Sequence, residues 1–427
     1  MKRRDFLCAA LAAPVLRANS DRLRARLEKL SEFGRSTGGA FADGVSRTGY
    51  SDADIAARAW VMGLMRQAGL AVRVDTAGNI FARRSGREPG LAPVLFGSHI
   101  DSVPSGGNFD GDLGSLAALE VLEVLRERNE VTRRPLEAVI WACEEATFSG
   151  MMLNGSRAAA GRLAPGELDM VSGGLRKFDA IRRIGGNPDR IEEARMSQGA
   201  FHAYVELHIE QGGTLDREAL PIGIVEGIVA VDRYSVEIEG FANHAGTTPM
   251  NARQDALVAA AHFILAVREA ALAESGQHVG TVGQLDVHPN APNVIPGRVR
   301  TGYEVRDLDP RKLDRIAETV RRKSAEIALA TRTQIRVAKT LRNDQALAAA
   351  PVQEVIENAA RRAGLRYKHL PSGAGHDAQM MAQLGPMGMI FVPSIGGISH
   401  SPKELTSWED CARGASMLLE SVRTLAS

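Results

Sequence analysis

Polar and hydrophobic positions along this chain follow two rhythms: stretches of helical period, and short, nearly continuous apolar runs that end on residues able to carry chemistry. Leu23, Leu27, Leu30 and Phe33, then Trp60, Leu64 and Met65, are spaced as the buried faces of two helices. Val72 to Val74 and Ile80 to Ala82 alternate on either side of Gly78-Asn79, which predicts a hairpin. Residues 93–96 read as a buried strand with His99 just past its end. Leu113, Leu116, Ala117, Val121, Val124 and Leu125 then recur at helical spacing, so Asp110 lies in a Gly-rich loop ahead of a helix. Residues 136–143 form another apolar run, ending in Glu144-Glu145, and a β-prone run over 204–212 delivers His208, Glu210 and Gln211. Residues 151–198 read as helices and loops with no chemical signature.

Beyond Gly227 the rhythm changes. Tyr234, Val236 and Ile238 alternate with Ser235, Glu237 and Glu239. A helix over 253–274, strands over 279–287 and 299–305, a helix opened by Asp309-Pro310 and a strand over 334–338 follow. The order β-α-β-β-α-β predicts a ferredoxin-like module inserted over 230–340. After residue 351 the α/β alternation returns with a helix over 352–363, a Gly-rich turn over 372–377 and an apolar strand over 387–392, which leads to His400. The prediction is therefore an α/β protein with one domain from 21–229 and 341–427 and a second from 230–340, hinged near Gly227 and residue 340. Open α/β sheets place their chemistry at such strand ends.

A length of 427 residues fits two domains, and 44% hydrophobic with 24% charged residues is the composition of a soluble globular protein. The formal net charge of +1 leaves no basic excess to neutralise phosphates, so small molecules are expected as partners, with neither nucleic acid nor membrane. No apolar run approaches the roughly eighteen residues of a membrane span. Cys8, Cys143 and Cys411 lie too far apart for a thiolate site, so any metal must be held by histidine and carboxylate. At the N-terminus, Lys2-Arg3-Arg4 precedes an apolar stretch from Phe6 to Leu16. Residues 1–20 thus resemble a twin-arginine export signal, which implies a periplasmic protein; read instead as a basic start to an ordinary helix, the same residues imply a cytoplasmic one.

His99, Asp110, Glu145, His208 and His400 are five N/O donors, each near a strand end. Two metal ions sharing one carboxylate need about that many protein ligands. Singly, His99 also reads as a core histidine and Asp110 as a helix cap. Asp101 is placed to orient the His99 ring through its other nitrogen. In Glu144-Glu145, adjacent side chains point in different directions, so one can bind metal while the other accepts a proton from water. That points to hydrolysis of a carbonyl compound.

The motifs over 97–103, 144–145, 206–212, 243–250, 372–377 and 397–402 together resemble the amidase/hydantoinase/carbamoylase family of binuclear zinc-type hydrolases, which includes N-carbamoyl-L-amino acid hydrolases and allantoate amidohydrolases. The resemblance implies an aminopeptidase-like catalytic domain, a mixed sheet flanked by helices, with the inserted domain as lid and dimerisation module of a homodimer. It implies two divalent ions per subunit, zinc first and manganese, cobalt or nickel as alternatives, one held by His99, Asp110 and His208 and the other by Asp110, Glu145 and His400. Glu144 would be the general acid/base, and His244 would donate to the oxyanion in the partner subunit's active site. Arg306 would bind the substrate carboxylate, with Gln211, Asn293, Gly375 and His376 as further substrate contacts. Cys143 before the acid pair and Phe148-Ser149-Gly150 after it depart mildly from the family pattern. The implied reaction is hydrolysis of a carbamoyl C–N bond in a small ureido acid; allantoate or ureidoglycolate hydrolysis and aminoacylase- or dipeptidase-type amide hydrolysis are the alternatives. A non-catalytic binder on the same fold would have no need of Glu144.

Overall fold

A computed structural model describes residues 15–427; the twin arginines lie outside that range. The chain forms two compact units, one comprising the chain up to Val225 with Ala348–Leu370 and His376–Ser427, the other Glu226–Leu347 with Pro371–Gly375. The second unit thus extends past 230–340 at both ends and takes in the short Pro371–Gly375 segment, which carries no periodic signal of its own.

The first unit is built on a mixed sheet. Seven of its nine strands lie in the order Ala71–Val74, Ile80–Arg84, Leu136–Trp141, Val94–His99, Ala203–Ile209, Met387–Val392 and Ile222–Ile228. The four from Leu136–Trp141 to Met387–Val392 are mutually parallel, and both flanking neighbours run antiparallel. Every residue of those four strands is buried, which is why they read as continuous apolar runs rather than alternating ones. The helices Asp112–Glu127 and Trp408–Leu425 pack on each other and on this sheet, and Leu116, Leu119, Leu418 and Val422 are fully buried in the shared core.

In the second unit, four antiparallel strands lie in the order Val279–His288, Arg298–Asp307, Ala230–Glu239, Gln334–Asn343. The helices Ala256–Ala273 and Pro310–Thr331 separate them in sequence as strand, helix, strand, strand, helix, strand. Along Ala230–Glu239 buried residues alternate with more exposed ones, and Ala259, Phe263, Ile316 and Val320 complete a separate core. Asp309 caps the second helix by accepting from the Arg311 N–H, ahead of Pro310 at its first position.

Candidate metal centre

The four parallel strands end side by side, and each end delivers chemistry. His99 is the last residue of its strand rather than beyond it, opposite Trp141. Two residues after Trp141 the backbone turns through a left-handed Cys143 (φ +50) into Glu144 and Glu145. His208 lies opposite Phe391, and the chain beyond Val392 leads to His400.

The Nδ1 atoms of His99 and His208 lie 3.0 Å from the Asp101 carbonyl and 2.9 Å from the Ile209 carbonyl. A carbonyl only accepts, so each ring carries its proton on Nδ1 and turns Nε2 inward. There the two Nε2 atoms meet Asp110 Oδ1, at 3.6 Å from His99 and 3.0 Å from His208. The other oxygen, Oδ2, is 3.4 Å from His400 Nε2, which is in turn 3.5 Å from Glu145 Oε1. Two trios result, His99–Asp110–His208 and Asp110–Glu145–His400, with the donor atoms of each within 4.8 Å of one another. Asp110 belongs to both. A neutral imidazole with Nδ1–H aims a lone pair from Nε2, and a lone pair facing a carboxylate oxygen is stable only with a proton or a metal cation between them. Among the described residues, no arginine or lysine pairs with Asp101, Asp110, Glu144 or Glu145, all of them buried, so the negative charge here calls for cations. The donor set fits two divalent ions.

Two details explain the local backbone. Gly111 adopts φ +67, and a Cβ there would lie 2.3 Å from the His99 ring, so only glycine lets the Asp110 loop close over that imidazole. Gly111 is also the N-cap of the Asp112–Glu127 helix, which removes the helix-cap reading of Asp110. The expected role of Asp101 changes. Its carboxylate is 3.8 Å from His99 Nδ1, which its own backbone carbonyl engages instead, and its two oxygens accept the backbone N–H groups of Glu144 (3.0 Å) and Glu145 (3.1 Å). Asp101 therefore positions the acid pair more directly than it orients the imidazole.

The Gln211 amide donates to Asp110 Oδ2 at 2.6 Å, so it meets the shared carboxylate rather than open space. The buried His376 ring packs edge-on against His208, centroids 4.5 Å apart, and burial holds its pKa well below the usual imidazole value, leaving it neutral. In the second unit, Asn243–His244 pairs with Val294–Ile295, and the Ala245 N–H donates to the Asn293 carbonyl at 3.0 Å, which makes His244 and Asn293 neighbours. His244 Nδ1 accepts from the N–H groups of Gly246 (3.0 Å) and Thr247 (3.2 Å). The proton of the neutral ring is thereby left on Nε2, as a free donor. Arg306 Nε and Nη2 donate to Glu304 Oε1 (2.8 and 2.6 Å) and Nη1 to the Gly373 carbonyl (2.8 Å), leaving one N–H on each Nη. Gly375 belongs to the same unit as Arg306, while His376 belongs to the other. Glu404 and Asn154 also serve this site although no pattern in the sequence marks them, as does Ser399 of the 397–402 motif, to which the sequence assigns no role.

Residues 95–424 match the model of Peptidase family M20/M25/M40. The chain belongs to that family. It is 40% identical over 407 residues to an N-carbamoyl-L-amino acid amidohydrolase of Geobacillus stearothermophilus, covering 95% of this chain and 98% of that protein. It is 39% identical to a ureidoglycolate hydrolase of Oryza sativa subsp. japonica, covering 94% and 83%. A solved amidase of the hydantoinase/carbamoylase family from Burkholderia multivorans superposes with a TM-score of 0.89 at 34% identity, over 97% of this chain and 99% of that one.

For this M20-family centre the charges predict how metal uptake depends on pH. The hydrogen bond to Asp110, with Glu145 close by, lifts His400 to about 9 against the opposing effect of burial; burial, and then Asp110, lift Glu145 to about 7. An entering cation must displace the His400 proton below about pH 9 and the Glu145 proton below about pH 7. Affinity therefore rises with pH, by about tenfold per unit for each proton displaced. Competition titration of the metal-free protein with Zn²⁺ from about pH 6 to about pH 9 checks this; a flat profile would contradict the assignment.

Proposed function

We propose that this M20-family protein is a metal-dependent hydrolase that cleaves the carbamoyl (ureido) C–N bond of an N-carbamoyl amino acid or related ureido acid, releasing ammonia and carbon dioxide with the free amine. The observation that carries this reading is Asp110, with one oxygen toward each donor trio beside the buried Glu144, in a chain 40% identical to an N-carbamoyl-L-amino acid amidohydrolase. Divalent ions held by His99, Asp110 and His208 and by Asp110, Glu145 and His400, zinc first and manganese, cobalt or nickel as substitutes, would polarise the ureido carbonyl and acidify water.

The protein's own groups do the rest. Burial pushes the Glu144 carboxyl well above the usual range; His99 pulls it back, and Glu145 and Asp377 push it further. A carboxyl so placed takes a proton from the attacking water and returns it to the departing nitrogen. The free Nε2–H of His244, contributed across a homodimer, donates to the oxyanion. The two unused N–H groups of Arg306 form a fork for the substrate carboxylate, with Asn293, Gln211, Gly375 and His376 as further contacts.

In this proposal the second unit is a ferredoxin-like lid and dimerisation module. Supporting it is a seven-residue repeat of exposed apolar side chains on the Ala256–Ala273 helix: Val258, Leu265 and Leu272, the last 66% exposed. Among the described residues, the edge strand Val279–His288 pairs on one side only. Export to the periplasm by the twin-arginine route belongs to the same proposal.

The test is a panel of N-carbamoyl amino acids, allantoate, ureidoglycolate, N-acyl amino acids and dipeptides against protein reconstituted with each metal. Ammonia release from the ureido acids is the expected result. The 39% identity to a ureidoglycolate hydrolase makes ureidoglycolate the second substrate to examine. Turnover confined to N-acyl amino acids or dipeptides would replace the ureido reading with an aminoacylase or dipeptidase one, and no turnover at all would remove it.

A further inference from the structure

Glu404 lies four positions after His400 and carries no periodic signal, yet its side chain is only 4% exposed. Its Oε1 accepts the backbone N–H groups of Phe109 at 3.0 Å and Asp110 at 3.1 Å. Its Oε2 lies 2.8 Å from Ser399 Oγ, and that hydroxyl is also 3.0 Å from Asp110 Oδ2. Glu404 therefore holds the Asp110 backbone nitrogen and shares the single hydroxyl proton of Ser399 with the Asp110 carboxylate.

The same residue anchors the His400 loop. The Glu404 N–H donates to the Ser401 carbonyl at 2.9 Å, and the Ile395 N–H donates to the Leu405 carbonyl at 2.8 Å, closing a small loop. His400 sits in that loop with φ +54, its side chain 49% exposed. Space is kept for the acid: a Cβ on Gly107 would lie 2.1 Å from Glu404 Oε1. A carboxylate buried near Asp110, with no arginine or lysine pairing it among the described residues, does not favour the fold by its charge. Its value lies in what it holds.

We infer that Glu404, acting directly on the Asp110 backbone and through Ser399 on the Asp110 carboxylate, is a positioning residue that sets the shared oxygen pair and the His400 loop in one geometry. The inference rests on the metal-centre reading above and adds a residue that touches neither substrate nor ion.

The experiment compares metal-free wild type with Glu404→Ala, Glu404→Gln and Ser399→Ala. Zn²⁺ affinity is read by competition with a chromophoric chelator, and the Co²⁺ form by its visible absorption. Loss of a residue that orients ligands costs about 10–100-fold in metal affinity, so Glu404→Ala is expected to weaken uptake by that factor and to alter the Co²⁺ bands. Ser399→Ala is expected to do the same more mildly. Glutamine can accept both N–H groups and donate to Ser399, so Glu404→Gln is expected to stay within about threefold of wild type. A residue needed only for folding would lower stability without moving the Co²⁺ spectrum. Should Glu404→Ala not fold, Ser399→Ala decides. Two ions bound by wild type and by the folded alanine variants with equal affinities and spectra would overturn the positioning role alone; fewer than two ions in wild type would overturn the metal-centre reading and the positioning role with it.

Discussion

Glu144→Gln is expected to lower kcat by roughly three orders of magnitude, within the range that a positioned acid/base supplies, while the protein still takes up two ions. Glutamine keeps the size and the backbone contacts of glutamate but cannot take up or release a proton in the working range. Those contacts are extensive. Asp101 receives the Glu144 and Glu145 N–H groups, the Leu153 N–H donates to the Glu144 carbonyl at 2.6 Å, and the Asn154 amide donates to the Cys143 carbonyl at 2.9 Å. The turn that separates the two acids is thus held independently of either carboxyl. One acid faces each side of the centre: Glu144 Oε2 lies 3.9 Å from His99 Nε2, and Glu145 Oε1 lies 3.5 Å from His400 Nε2. Glu145→Gln provides the contrast, because it removes a donor from one trio and is expected to cost an ion. The measurements are steady-state kinetics on an N-carbamoyl amino acid and metal content per chain. Turnover by Glu144→Gln within about tenfold of wild type would remove the proton-shuttle role.

That contrast also separates the parts of the site that the sequence marks locally from those that it does not. The five donors are legible because each lies at or beyond the end of a buried strand, and buried parallel strands announce themselves as apolar runs. The strand-helix-strand-strand-helix-strand order of the second unit is legible for the complementary reason: a strand with one solvated face alternates, and Tyr234, Val236 and Ile238 do. Not legible are groups whose role depends on a partner far along the chain. Glu404 reads as a solvated loop acid because nothing local says that Phe109 and Asp110 will turn their N–H groups toward it. For Asp101 the sequence offers His99 as the nearer partner, whereas its oxygens reach over forty positions ahead to Glu144 and Glu145. Arg47, fully buried, donates to the Ile100, Leu30 and Phe33 carbonyls and to Asp112, and in sequence it is one polar residue between Ser46 and Thr48. Periodicity locates elements and strand ends; it is silent on which side chain from one loop will bind the backbone of another.

Asp110→Asn is expected to abolish uptake of both ions, whereas His400→Ala is expected to abolish uptake of one. The difference follows from geometry, since Asp110 Oδ1 faces His99 and His208 while Oδ2 faces His400, so only this residue contributes to both trios. In asparagine one of those oxygens becomes an amide nitrogen with no lone pair to offer, and the other loses its charge. Removing an outer partner of a metal ligand costs about 10–100-fold in affinity, so removing a shared ligand should cost more than about a hundredfold at each position. Stability gives an independent readout. A ligand at a hundredfold excess over its Kd stabilises the native state by about 2.7 kcal/mol, so wild type should show a metal-dependent rise in Tm, His400→Ala a smaller one and Asp110→Asn none. Without metal, the buried imidazoles hold the Asp110 carboxyl well below the usual carboxylate range against the opposing effect of burial, and the same contacts raise His208. The ionised aspartate therefore carries positive charge on its histidines in the metal-free protein, and an incoming ion exchanges places with protons rather than entering a neutral site. Equal stoichiometries for Asp110→Asn and His400→Ala would mean that the ions do not share a carboxylate, and the arrangement of two trios around one residue would have to be given up.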